Sequence, residues 1–332
     1  MNQPQTLQDA IRYFSDEQVC VNAVAAMRWP DGKPVCPACE KTEHYYLKSQ
    51  RRWKCKDCGR QFSVKLNTIF EDSPIGLDKW LVAIWMIANC KNGVSSYEIH
   101  RAIGVTQKSA WFMLHRIRLA LKETDGGQIG GGHQGTHPRS ACEADETFVG
   151  GKVKNMHRQR RIDLEAQKSK GLKNETKTIV AGILDRAKGK VRAEVVSDRQ
   201  QDTLDKVIRQ HVKLGSIVYT DDHVGYDNLR SRFNHTKLNK KVDGYVRGRI
   251  HTQGIENFWA LLKRGLSGTY VSVEPAHLFR YVDEQVFRYN NRKDGKEKLK
   301  DADRFALALK QISNKRLTYA EVTGKAGERP TV

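Results

Sequence analysis

SIVYTDD, residues 216–222, decides the fold. Ile217, Val218, Tyr219 and Thr220 run without a charge and end in Asp221 and Asp222. A short apolar strand that delivers acid at its carboxyl end is how an α/β sheet presents its active groups. Upstream, SACEADETFVGG (140–151) reads as a strand over 140–149 that carries Asp145 and leaves through a Gly-Gly turn. Residues 178–184 and 191–196 are two further strands, joined by the turn-like 186–189. Residues 202–212, 255–264 and 275–289 have helical periodicity. Strands first, then a strand bracketed by helices, predict an α/β sandwich with a mixed sheet over 141–292.

Ahead of this region the composition changes. Residues 123–140 are Gly-rich and predict a flexible linker. Residues 77–122 read as three helices, within a helix-turn-helix domain over 73–122. In its last two helices, Ser95 or Ser96 caps the first with Glu98 near the third position, Gly104 makes the turn, and Thr106 caps the second. Ile99, Ile103, Val105, Ala110 and Leu114 are spaced to pack the pair, which leaves Gln107, Lys108, Trp111, His115 and Arg118 pointing outward. That geometry suits a recognition helix in a major groove, although a purely structural helical hairpin has the same pattern.

Residues 31–72 hold Cys36, Cys39, Cys55 and Cys58, two Cys-x-x-Cys pairs with 15 residues between them. Four thiolates at that spacing suit structural zinc in a zinc ribbon with no open position for water. Cys20, Cys90 and Cys142 are isolated and read as small core residues. Arg51, Arg52, Trp53, Lys54, Lys56 and Arg60 surround the second pair and suit phosphate contact or a solvated face. Residues 1–30 read as a helical lead-in with Leu7, Ile11 and Phe14 on one stripe.

The chain of 332 residues carries 58 Lys and Arg against 38 Asp and Glu, a formal charge of +20. Such a surplus favours a polyanion as partner. The longest uncharged apolar stretch, residues 80–88, is too short to span a membrane. The N-terminal residues lack a basic and then apolar signal pattern, so a cytoplasmic, nucleoid-associated location is expected. Residues 152–177 hold nine Lys or Arg and three acidic residues, which predicts a basic insertion that tracks nucleic acid. Residues 237–249 are a second basic stretch, with Arg247 and Arg249, ahead of the 255–264 helix. Residues 293–332 read as a charged C-terminal tail with one more helix over 301–312.

Asp145, Asp221 and Glu256 form the acidic set, with 75 and 34 residues between successive members. Two aspartates on neighbouring strands and a glutamate on a helix would hold Mg²⁺ or Mn²⁺ for phosphodiester chemistry. Asp222 is a one-residue alternative to Asp221, and Asn257 to Glu256. Glu256 shares a helix face with Lys263, which with Arg264 beside it suits a DNA phosphate. His251 is close to the set in sequence and is a further candidate.

At these residues the sequence resembles bacterial insertion-sequence transposases that join an N-terminal zinc ribbon to an RNase H-like catalytic domain. The carrying stretches are the paired cysteines, DETFVGGK (145–152), YTD (219–221), HTQGIENFWALLKR (251–264), GTY (268–270) and FRYNNR (287–292). Members often read Thr-Asn where this chain has Thr252-Gln253, and Tyr-His where it has Tyr270-Val271. The resemblance implies a multidomain α/β protein with a D-D-E or D-D-N triad in which Asp145 and Asp221 are the aspartates. It also implies hydrolysis at element ends, strand transfer by the freed 3′-hydroxyl, and a homo-oligomer on double-stranded DNA. Two other readings keep part of this: a DNA-binding regulator with an inactive nuclease-like domain, and a structure-specific nuclease without strand transfer.

Overall fold

The structure, a computed structural model, describes residues 4–123, 127–131, 140–150, 158–169 and 177–325. These divide into two compact units, one from residues 1–123 with 291–331 and one centred on residues 124–290.

The first unit is built around α3 (Leu77–Asn89), in which Trp80, Leu81, Ile84, Trp85, Ile87 and Ala88 are all buried. A helix apolar around most of its circumference must be covered on several sides. Packed on α3 are α1 (Leu7–Tyr13), α2 (Glu17–Arg28), α4 (Ser96–Ile103), α5 (Gln107–Leu121) and, late in the chain, α10 (Asp301–Lys310). The segment expected as a tail therefore supplies core: Phe305, Ala308 and Leu309 are buried, and Arg304 Nε donates to Asn89 Oδ1 at 2.8 Å. The lead-in stripe is only partly right. Phe14 is buried, but Leu7 and Ile11 are 39% and 50% exposed, because Ala10 turns inward instead.

The α4–α5 pair is capped as its sequence predicts. Ser95 Oγ accepts from the Glu98 N–H and Glu98 Oε2 from the Ser95 N–H, a capping box. Gly104 takes φ +62°, a left-handed turn that a side chain would strain, and Thr106 Oγ1 accepts from the Ser109 N–H. Strands β1 (His44–Leu47), β2 (Arg52–Cys55) and β3 (Gln61–Ser63) form an antiparallel ribbon. Its Tyr46, Trp53 and Phe62 lie across from one another, and Trp29 packs edge-on against Trp53 and Phe62.

The second unit is a five-stranded mixed sheet in the order β6-β5-β4-β7-β8. The strands are β4 (Cys142–Val149), β5 (Thr178–Asp185), β6 (Lys190–Val196), β7 (Ile217–Asp221) and β8 (Asn234–Leu238). The first three run antiparallel, while β7 joins β4, and β8 joins β7, in parallel. Strand alternation assigns the two faces. Cys142, Ala144, Ala181, Ile183 and Val218 meet α7 (Gln201–His211) and the turn around Tyr226. Val180 and Leu184 on the other face meet α8 (Gln253–Gly265) and α9 (Leu278–Asn290). The mixed α/β sheet is the one expected. Its fifth strand, β8, was not, because NHTKL has no apolar alternation.

Part of the expected linker is docked rather than loose. Ile129 is buried, its N–H donates to His211 O at 2.7 Å, and its carbonyl accepts from the Lys213 N–H. Residues 124–126 and 132–139 of that segment lie outside the described residues. So do residues 152–157 and 170–176 of the basic insertion, of which α6 (Arg158–Ser169) is described.

Helix α8 lies close against the sheet because Gly182 has no side chain. A Cβ there would meet Trp259 Cη2 at 2.5 Å and Cζ2 at 2.8 Å. Gly182→Ala is expected to push the indole off the sheet and cost about 1–3 kcal/mol. Urea unfolding checks this, and an unchanged midpoint would refute the packing account.

Candidate active site and metal centres

The two aspartates meet through strand register. Cys142 pairs with Val218 and Glu143 with Tyr219, an offset of 76; carried two residues further, that offset puts Asp145 level with Asp221 at the end of β7, where the Asp221 charge acts on Asp145. Neighbouring strands are about 4.8 Å apart, and odd-numbered residues of both strands face α8. Trp259 Nε1 on α8 donates to Asp145 Oδ2 at 3.0 Å. Asp221 Oδ1 accepts from the His223 N–H at 3.2 Å, which closes the turn after the strand.

Glu256 comes from the first turn of α8. Its Oε1 accepts from Lys240 Nζ at 2.7 Å and from Thr252 Oγ1 at 2.8 Å. Its neighbour Asn257 is exposed. Helix α8 has no side-chain cap from Thr252. Instead Glu143, 1% exposed on β4, accepts the Ile255 N–H at 2.9 Å, so a strand carboxylate caps the helix. Arg186 Nε donates to Glu143 Oε1 at 2.6 Å, and its other nitrogens donate to the carbonyls of Arg249 and His251. Glu143 and Asp145 are two apart on one strand and therefore share a face.

The electrostatics follow from this crowding. Burial, then the charges of Glu146 and Asp221, push the Asp145 carboxyl up to about 7. Burial also works against an ionised Glu256, but the hydrogen bonds from Lys240 and Thr252 prevail and hold its carboxyl below the usual range. Glu146 points to the opposite face, where Tyr226 Oη donates to it at 2.6 Å and Arg199 Nε lies 2.9 Å away. His251 lies 3.5 Å from Glu143 Oε1, and burial with the nearby Arg186 lowers its proton affinity. It belongs to the clamp around Glu143.

The acidic set fits a hard divalent ion by donor chemistry: three carboxylates, one desolvated and repelled by its neighbours. Their oxygens are not drawn within 4.8 Å of one another; among the described residues only the four cysteines are. Cys36 Sγ is 3.6 Å from Cys58 Sγ and Cys39 Sγ is 3.5 Å from Cys55 Sγ. Four sulfurs around tetrahedral zinc stand about 3.8 Å apart, so the cluster fits structural zinc.

The basic candidates divide. Lys263, Arg264, Arg247 and Arg249 are exposed, with Arg247 Nη1 donating to Asp243 at 3.2 Å. Lys108 is exposed, yet its ammonium sits 4.7 Å over the Tyr319 ring, and Trp111 is half-buried against His115. Arg118 and His115, expected to point outward, are buried at 1% and 0%. Their burial has a packing cause: α3, α10 and α11 (Tyr319–Val322) cover α5 on sides that a two-helix motif leaves open.

Sequence reasoning missed Glu143, Arg186, Thr252, Trp259 and Lys240. Only Glu143 left a signal, an acid two residues before Asp145 in a buried strand.

Comparisons with known proteins agree over two stretches. Residues 140–290 match the ISXO2-like transposase domain, and residues 15–61 match the transposase zinc-ribbon domain. The chain is 27% identical over 310 residues to an uncharacterized protein in transposable element ISH50 of Halobacterium salinarum, covering 87% of this chain and 97% of that protein. It is 37% identical over 105 residues to an uncharacterized transposase-like protein of Haemophilus influenzae, covering 31% of this chain and 84% of that one. Among solved structures, a simian T-cell lymphotropic virus intasome in complex with PP2A regulatory subunit B56 gamma aligns with 68% of this chain and 74% of that one, at 15% identity. Its TM-score of 0.31 is too low to carry an argument.

Two outcomes are expected. Asp145 holds its proton up to about 7 when folded, against an ordinary 3.8. The folded state thus binds more protons than the unfolded state between those values, and metal-free stability falls as pH rises through them. Asp145→Asn should remove that loss, so the variant's Tm advantage grows from about pH 4 to about pH 8; an advantage independent of pH would refute the assignment. Cys55→Ser should abolish binding of about one zinc per chain and red-shift the emission of Trp29 and Trp53. Full zinc content in the variant would sink the four-thiolate site.

Proposed function

The chain belongs to the family of ISXO2-like transposases, and we propose that it binds the ends of an insertion sequence and catalyses metal-dependent strand cleavage and strand transfer there. The observation that carries the reading is the shared face of Asp145, Asp221 and α8, with Glu256 on the first turn of that helix. Asp145, Asp221 and Glu256 would hold Mg²⁺ or Mn²⁺. Such an ion, when bound, supplies a more acidic water and neutralises charge on the attacked phosphate.

The protein's own residues do the rest. Trp259 holds one oxygen of Asp145 in place, and Glu143 fixes the start of α8, so the carboxylates are presented from rigid elements. Lys263 and Arg264 on α8, with Arg247 and Arg249 ahead of it, offer exposed charge to the DNA backbone. Lys108 and Trp111 of α5 remain candidates for DNA contact, together with the zinc ribbon. Arg118, being buried, can act there only by supporting α5. Two element ends must be held together for strand transfer, so the active assembly is a homo-oligomer on double-stranded DNA.

Asp145→Asn and Asp221→Asn should each abolish cleavage of end-bearing DNA in Mg²⁺ or Mn²⁺ while leaving end binding within about threefold, an energy of under 1 kcal/mol. Gel assays of cleavage and of mobility shift check the two halves. Full cleavage by either variant would overturn the acidic assignment. Intact binding with no cleavage by the parent chain would favour the regulator, and cleavage without joining would favour the nuclease.

A further inference from the structure

Lys240 follows β8, whose Leu238 pairs with Asp221. The chain turns immediately after it: Asn239 Oδ1 accepts from the N–H groups of Lys241 and Val242, and the Asn239 N–H donates to Asp243 Oδ2 at 3.1 Å. This fixes the backbone of Lys240 beside the aspartate strand, while its side chain crosses to Glu256 on α8 at 2.7 Å. A lysine thus ties α8, which bears Glu256, to the end of the strand that lies beside the Asp221 strand and carries none of the carboxylates.

We propose that Lys240 is the protein's own counter-cation for the three-carboxylate site, occupying Glu256 until a divalent ion displaces it and thereby setting the affinity for that ion. The proposal rests on the metal-site reading given above. Three features support it. Like-charged carboxylates are costly to hold together without a cation, and Lys240 supplies one from within the chain. Lys240 and Glu256 are each about one-third exposed, at 35% and 36%. A pair that open to water is weak enough to be exchanged for an ion drawn by several carboxylates. Both donors, Lys240 and Thr252, sit on Oε1, which leaves Oε2 of Glu256 open among the described residues. Lys240 is on this account a positioning residue, since it acts on the carboxylate and not on DNA.

The test is calorimetric titration of the zinc-loaded full chain with Mn²⁺ in the absence of DNA. Lys240→Met should bind Mn²⁺ about two- to fivefold more tightly than the parent. Lys240→Arg, which keeps the charge, should bind like the parent, so a simple packing effect of the substitution is separable. Asp221→Asn in the parent background should lose the binding. If Asp221→Asn binds Mn²⁺ as well as the parent does, the acidic site itself is wrong and the proposal falls with it. If binding depends on Asp221 but Lys240→Met shows equal or weaker affinity, the proposal alone is overturned.

Discussion

A single buried carboxylate holds the second unit together. Glu143 lies on the strand that carries Asp145, yet it bonds to the first turn of the helix that carries Glu256. A buried charge is expensive unless it is fully paired. Here the pairing is complete on two sides: the Arg186 guanidinium on one oxygen and a helix N-terminus on the other. Arg186 then spreads the constraint to the chain entering α8 through the carbonyls of Arg249 and His251. Sheet, entry loop and helix are thus locked by one ion pair, and the distances among the proposed metal ligands inherit that lock.

The same face shows how the sheet was prepared for a close helix. Gly182 sits directly across from Asp145, and its missing side chain lets the Trp259 indole lie on the strand. The indole covers the carboxylate and donates to it. It therefore desolvates Asp145 and fixes its orientation at once. A surface aspartate would be ionised and mobile. This one is held still and unwilling to ionise alone, a state that favours a bound cation.

Much of this was legible in the sequence, and the reasons are local. The cysteine spacing, the Ser95 and Thr106 caps, and the apolar run before Asp221 each depend on a few adjacent residues. Their structures match: the four sulfurs cluster, both caps form, and β7 ends in Asp221. What was not legible depends on residues far apart. NHTKL forms β8 because β7 offers it an edge, not because its own pattern demands a strand. Arg118 is buried because α10 and α11, almost two hundred residues later, pack near α5. Lys240 reaches Glu256 through the turn at Asn239, which no spacing rule anticipates. Helical periodicity gives the faces of a helix, but the number of faces that become interior is decided by the rest of the chain.

The segment after residue 290 returns to the first unit, where Phe305 and Leu309 join the core around α3. The second unit is in this sense an insertion between two halves of the unit that carries the zinc ribbon. Translation delivers the amino-terminal half first and its completing helix last. A nascent chain paused anywhere in the sheet region has an unfinished α3 surface, on which Trp85 still lacks its contact with Phe305. The first unit consequently cannot complete its core until the second has been synthesised, and a ribosome must pass the whole sheet before α3 gains its full cover.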